Sequence, residues 1–195
     1  MATLNPDKTG YTAAYTATGT GIQWGQDMYL GNHLGVARFK SAISSSYTSF
    51  SNCWIKSATV KIKTDGTLAS STITIAVTNT APPSPSANPP KTPSCYRSGD
   101  FTCNKTGTTT IDITSLFKRG GNNTYLKPND TTWYIVFKMN SSTSGRLEGK
   151  DDYSSAAEFT YTIAAKPSVS IGDPITVTQM TNLSDYLGSS GSGIS

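Results

Sequence analysis

A Ser-His-Asp triad needs an imidazole to take the serine proton, and His33 is the only histidine in the chain. It sits in Gly31-Asn32-His33-Leu34-Gly35, a turn-like setting in which a surface imidazole is the simplest reading. No serine occupies a nucleophile-elbow pattern, and there is no phosphate loop. Glycoside hydrolysis asks only for two carboxyl groups. Glu148 and Glu158 are the only glutamates, and neither belongs to a recognisable acid–base pair. Asp151 and Asp152 adjoin, so along a strand they would point to opposite sides. In a loop, Gly149-Lys150-Asp151-Asp152-Tyr153, both can ligate calcium through oxygen, with solvated carboxylates as the simpler alternative. The expectation is a protein that is not an enzyme and has no cofactor beyond that structural calcium.

Three cysteines complete the reactive inventory. Cys53 precedes Trp54 in an apolar-alternating stretch and reads as a buried core thiol. Cys95 and Cys103 flank a short loop, so a disulfide and two free thiols both fit. One histidine and three dispersed cysteines make no zinc set. Aromatic rings are the remaining clue, because sugars are held by rings against their C–H faces and by amide and hydroxyl hydrogen bonds. Trp24, Tyr29, Tyr96, Tyr125 and Tyr153 fall in or beside predicted loops and are the candidate glycan contacts. Trp54, Trp133, Phe39 and Phe137 are assigned to the core.

The elements that must position these residues are strands. Charged residues are only 14%, aromatics reach 10%, and Ser and Thr are abundant, which excludes a helical bundle and a disordered chain. Ala58 to Lys63 and Ile73 to Thr78 alternate apolar and polar residues around Asp65-Gly66, which predicts an antiparallel hairpin. Further strands are predicted at Tyr11 to Thr18, Met28 to Leu30, Val36 to Lys40, Thr109 to Ile113, Trp133 to Met139, Leu147 to Glu148 and Glu158 to Ile163. Short strands separated by Gly-, Ser- and Asn-rich turns predict an all-β, antiparallel two-sheet sandwich of jelly-roll type over residues 1–165. The proline-rich insertion 81–93 reads as a semi-rigid extended excursion. Thr114 to Gly120, with a capping hydroxyl and a terminal glycine, predicts one short helix. Residues 166–195 read as an extended arm or linker, with one or two strands between Ser168 and Met180 and a Gly/Ser-rich end.

The formal net charge of +4 is scattered, the densest basic cluster being Lys56, Lys61 and Lys63, so no nucleic-acid stripe is expected. The longest strongly apolar run, Tyr134 to Phe137, is too short for membrane insertion. Met1 to Lys8 lacks a basic n-region and an apolar h-region, so synthesis in a cytoplasm without a signal peptide is expected.

Asp27-Met28-Tyr29-Leu30-Gly31, Val36-Ala37-Arg38-Phe39-Lys40 and Ile55 to Ile62 follow one another as in the DNRLRE-type module, which this chain resembles. Ile111 to Leu116 resembles that family's aspartate-containing strand leading into a short helix, and Trp133 to Lys138 its following apolar strand. Arg146 to Tyr153 and Phe159 to Ile163 resemble its closing pair. The family's middle tryptophan motifs are replaced here by the proline-rich segment and the Cys95–Cys103 loop. The resemblance implies a non-catalytic, carbohydrate-binding-like jelly roll of the kind carried by phage virion proteins and polysaccharide-active proteins. The expected function is therefore a non-enzymatic bacteriophage structural protein, a capsid decoration or tail or fibre component in contact with host-surface glycans. Residues 166–195 would bind other virion proteins, with homo-oligomerisation. The alternative is an extracellular polysaccharide-binding module of a larger secreted bacterial enzyme.

Overall fold

The computed structural model describes residues 1–12, 21–83, 97–117, 126–168, 172 and 174–189, the last three of these by backbone alone. Tyr96, Tyr125, Cys95, most of the proline-rich insertion and all but Tyr11 and Thr12 of the strand expected at Tyr11 to Thr18 lie outside them. The strands are β1 (Ala2–Leu4), β2 (Lys8–Thr12), β3 (Ile22–Trp24), β4 (Met28–Leu30), β5 (Gly35–Phe39), β6 (Cys53–Asp65) and β7 (Thr72–Thr78). They continue as β8 (Arg97–Thr102), β9 (Thr106–Asp112), β10 (Trp133–Lys138), β11 (Gly145–Leu147) and β12 (Glu158–Ala165). One sheet runs β1-β12-β6-β11-β4 with β9 also paired to β6, and the other runs β3-β2-β5-β10-β7-β8. Every pairing is antiparallel. The all-β two-sheet sandwich is thus as expected.

Period-two alternation sends Ala58, Val60 and Ile62 of β6 and Phe159 and Tyr161 of β12 inward, against Ile73, Ile75 and Val77 of β7 and Trp133, Ile135 and Phe137 of β10. At the centre Phe39 stacks on Trp133 with centroids 4.2 Å apart, and Phe159 meets the Trp133 ring edge-on at 5.2 Å. The Trp133 indole N–H donates to the Ser41 carbonyl at 2.9 Å, so this wholly buried ring keeps its polar atom satisfied.

The expected hairpin is not formed. β6 and β7 belong to opposite sheets, and residues 66–71 carry the chain across the core. Alternation tells which side of a strand is apolar, not which strand it pairs with, and two strands facing each other across a core alternate as two hairpin strands do.

Two further expectations are corrected around one bulge. Between Thr162 and Ile163 the register on β6 skips from Ser57 to Ile55, so Lys56 is the extra residue. That phase change turns Cys53 and Ile55 inward and Trp54 outward. Trp54 is buried, at 8% exposure, yet it stands apart from the central core. What meets it is Tyr186, edge-on at 6.2 Å, on an α-helix, α1 (Val177–Ser189), where strands and an extended arm were expected. Thr176 and Gln179 form a capping box: the Gln179 N–H donates to the Thr176 hydroxyl at 3.2 Å, and the Thr176 N–H to Gln179 Oε1 at 2.9 Å. Helix hydrogen bonding starting from that cap overrides the modest strand preference of Val177, Thr178 and Thr181.

The short helix expected at Thr114 is a 3-10 turn, Thr114–Phe117. Asp112 Oδ1 accepts the Thr114 N–H at 2.9 Å at the start of this turn. The Thr114 hydroxyl accepts the Ala58 N–H at 2.9 Å, pinning the turn to β6. No helix among the described residues is long and apolar enough to cross a membrane.

Candidate functional site

The hairpin of β2 and β3 brings Trp24 to the outer side of the second sheet. This requires glycine at position 10, where a Cβ would stand 1.9 Å from the Gln23 carbonyl oxygen. The Trp24 ring packs beside a second buried cluster of Leu34, Val36, Ala76, Tyr134 and Val136. The Arg38 guanidinium lies 5.0 Å from the ring centroid. Asp7 holds Arg38 through two bonds, Nε to Oδ1 at 3.0 Å and the terminal nitrogen to Oδ2 at 2.5 Å. Burial alone would push the Asp7 carboxyl up; the hydrogen bond and charge of Arg38 outweigh it and hold the pKa below the usual carboxylate value.

The loop after β11 closes against this hairpin. Gly149 donates its N–H to Asp27 Oδ1 at 2.7 Å, so closely that a Cβ there would meet the Gln26 carbonyl oxygen at 2.4 Å. Lys150 donates its N–H to the Thr9 hydroxyl at 2.8 Å and its ammonium to the Pro6 carbonyl at 2.6 Å. The chain turns at Gly25, φ +74°, and Asp151 comes up beside that turn. The result is a cleft of about 240 Å³ lined by Asp7, Lys8, Thr9, Trp24, Gly25, Lys150 and Asp151. It offers an indole ring, a hydroxyl, two ammonium groups and two carboxylates. Such a set can hydrogen-bond a ring bearing several hydroxyls while the indole covers its C–H side.

A second cavity of about 240 Å³ is lined by Tyr29, Asp65, Thr67, Ser144, Gly145 and Arg146. Tyr29 and Arg146 are direct partners across β4 and β11. Arg146 is fixed from two sides. Its Nε and one terminal nitrogen reach Asp65 Oδ2 at 2.7 and 2.5 Å, and the other terminal nitrogen reaches Asp27 Oδ2 at 3.0 Å. Burial would raise the Asp65 carboxyl, and hydrogen bonds from Thr67 and Arg146 reverse that and lower it. The ring of Tyr29 meets Tyr11 edge-on at 4.8 Å. His33 joins these rings, 4.9 Å from Tyr11, with Nδ1 2.8 Å from the Thr12 carbonyl oxygen. A carbonyl only accepts, so Nδ1 carries the proton and the imidazole serves as a structural donor.

Among the expected contacts, Trp24 and Asp151 come together in one cleft, although they were singled out for different chemistry. Tyr29 lines the second cavity. Tyr153 stands apart from both, its ring 5.4 Å from the Lys63 ammonium, which pairs with Glu148 at 2.9 Å. Asp151 and Asp152 lie in the loop expected for them, and no group of three or more His, Cys, Asp or Glu side chains that could hold a metal occurs among the described residues. Cys103 is a buried free thiol, the second of the two states the sequence left open for it, and Cys95 lies outside the described residues. Cys53 is buried in the core as expected.

Asp7, Lys8, Asp27, Arg38 and Arg146 were not singled out as site residues in the sequence, although Asp27, Arg38 and Arg146 fall in the motifs of the resemblance. Their partners are distant in sequence (Asp27 with Gly149 and Arg146, Arg38 with Asp7), and no local spacing announces them. No family model matches the sequence, and no curated protein matches it.

Proposed function

We propose that this chain is a non-catalytic saccharide-binding β-sandwich displayed on a virion, as a capsid decoration or a tail or fibre component. The observation that carries the binding reading is the cleft in which Trp24 faces Asp151, Lys150 and Lys8 across the Gly25 turn. Two of its polar groups are already fixed, Lys150 by the Pro6 carbonyl and Asp7 by Arg38, so a ligand does not have to order those. The resemblance to DNRLRE-type modules supports both the saccharide class and the virion setting. Within that setting, Ile175, Val177 and Met180 are exposed apolar side chains on and before α1, and they are the part of residues 166–195 offered to neighbouring virion proteins.

Calorimetric titration with cello-, chito-, xylo- and malto-oligosaccharides of two to six units tests the binding reading. Wild type is expected to bind one series, and Trp24→Ala to weaken it by about thirtyfold, the loss of an aromatic anchor worth about 2 kcal/mol. Equal binding by the variant, or no binding by wild type, counts against it. Gene neighbourhood separates the virion reading from the extracellular enzyme-module alternative: capsid and tail genes support the first, glycoside hydrolase genes the second. Deleting residues 166–195 is expected to stop incorporation into particles; normal incorporation would overturn their role as anchor.

A further inference from the structure

Two stretches of chain wall both cavities. The segment from Trp24 to Tyr29 supplies Trp24 and Gly25 to the first and Tyr29 to the second. The segment from Ser144 to Asp151 supplies Lys150 and Asp151 to the first and Ser144, Gly145 and Arg146 to the second. These segments run antiparallel, with Met28 opposite Leu147 and Tyr29 opposite Arg146. Both cavities therefore adjoin one ribbon, the first where it approaches β2 and β3 of the other sheet and the second where β4 and β11 pair, and β4 has no further strand partner among the described residues. Asp27 stands between them and touches the framework of both: Oδ1 accepts the Gly149 N–H beside the first, and Oδ2 pairs with Arg146 in the second. The four residue steps from Gly25 to Tyr29 span at most about 14 Å of extended chain, a distance a short oligosaccharide covers.

The second cavity has its own chemistry. Asp65 and Asp27 fix the Arg146 guanidinium in place and balance its charge, so an anionic ligand gains little there. What remains is the part of the Tyr29 ring not covered by Tyr11, the flat guanidinium, with about two-fifths of the Arg146 side chain exposed, and the Ser144 and Thr67 side chains. Flat apolar faces with few hydrogen-bonding groups suit an uncharged sugar ring.

We propose that the Tyr29–Arg146 cavity is a second subsite for the same saccharide, so that the protein reads an internal stretch of an uncharged glycan chain rather than a single terminal sugar. The inference rests on the saccharide reading of the Trp24 cleft. A second subsite on one ribbon converts part of the binding into an intramolecular step, and affinity should then climb with ligand length.

The test compares two-unit and six-unit members of whichever of the four oligosaccharide series binds. The hexamer should bind at least about tenfold more tightly than the dimer. Tyr29→Ala should bring hexamer affinity down towards the dimer level, with circular dichroism checking that the variant is folded. Amide shifts on the wild-type protein give a readout that does not depend on the variant: the hexamer, and not the dimer, should shift Tyr29, Gly145 and Arg146. Equal affinity for the two lengths, or a hexamer that leaves those amides unmoved, overturns the second subsite while the Trp24 site stands. Binding of no member of any series defeats the saccharide reading itself, and the second subsite with it.

Discussion

Asp7 and Asp65 make the acid side of this protein's stability a matter of single residues. Each carboxyl titrates lower in the folded chain than in the unfolded one, held down by Arg38 in one case and by Thr67 and Arg146 in the other. A depressed folded pKa adds stability that is fully present above the unfolded value near 3.9 and is lost as pH falls through the folded value. Below about pH 4, stability should therefore drop less steeply in an Asp7→Asn, Asp65→Asn double variant than in wild type, as read from urea midpoints across pH. Both ion pairs are partly exposed, so each should contribute no more than about 1 kcal/mol at neutral pH. Cys53 illustrates the opposite direction. Burial pushes its thiol up to about 11, and the same cause raises Cys103. Both should resist a thiol reagent at pH 8 and react only on unfolding. At Gly149 the constraint is steric. Gly149→Ala drives a methyl against the Gln26 backbone and should cost about 1–3 kcal/mol in stability, along with the closure of the loop that places Asp151.

Among the elements, α1 depends most on a single local device. Its cap is the Thr176–Gln179 box, and its attachment is the Tyr186–Trp54 pair, with Lys56 donating to Asn182 at 3.2 Å. Thr176→Ala should lower helix stability by about 1 kcal/mol. Tyr186→Ala should uncover Trp54, read in a Trp24→Phe background as a red-shifted emission with greater iodide quenching, while strand circular dichroism stays unchanged. An unshifted spectrum would mean that other contacts hold α1 in place. The bulge at Lys56 underlies this attachment, because without the phase change Trp54 would point into the core.

For the molecule as a whole, both sheets meet at Phe159, whose ring touches Phe39, Phe117, Trp133 and Tyr161. Phe159→Ala should cost about 3–5 kcal/mol, a large part of the roughly 5–15 kcal/mol typical of a domain, and urea denaturation should show it as one shifted transition. The sandwich itself was legible residue by residue. Val60 and Ile62, Ile73 and Ile75, Ile135 and Phe137 recur with period two, and that period survives any choice of strand partners. The capping box of α1 was legible too, as Thr-x-x-Gln at 176–179, although the β-branched residues beside it favoured strands. Of the candidate site, the sequence singled out Trp24, Tyr29 and Asp151 by residue type alone. Strand composition and alternation thus determined the fold class and which side chains face inward. Only the tertiary structure decided that β6 and β7 take opposite sheets, that Trp54 lies under α1, and that Trp24 meets Asp151. Those outcomes depend on a bulge, a crossover and contacts such as the Gly149 N–H with the Asp27 carboxylate, 122 positions apart, and they leave no local periodicity behind.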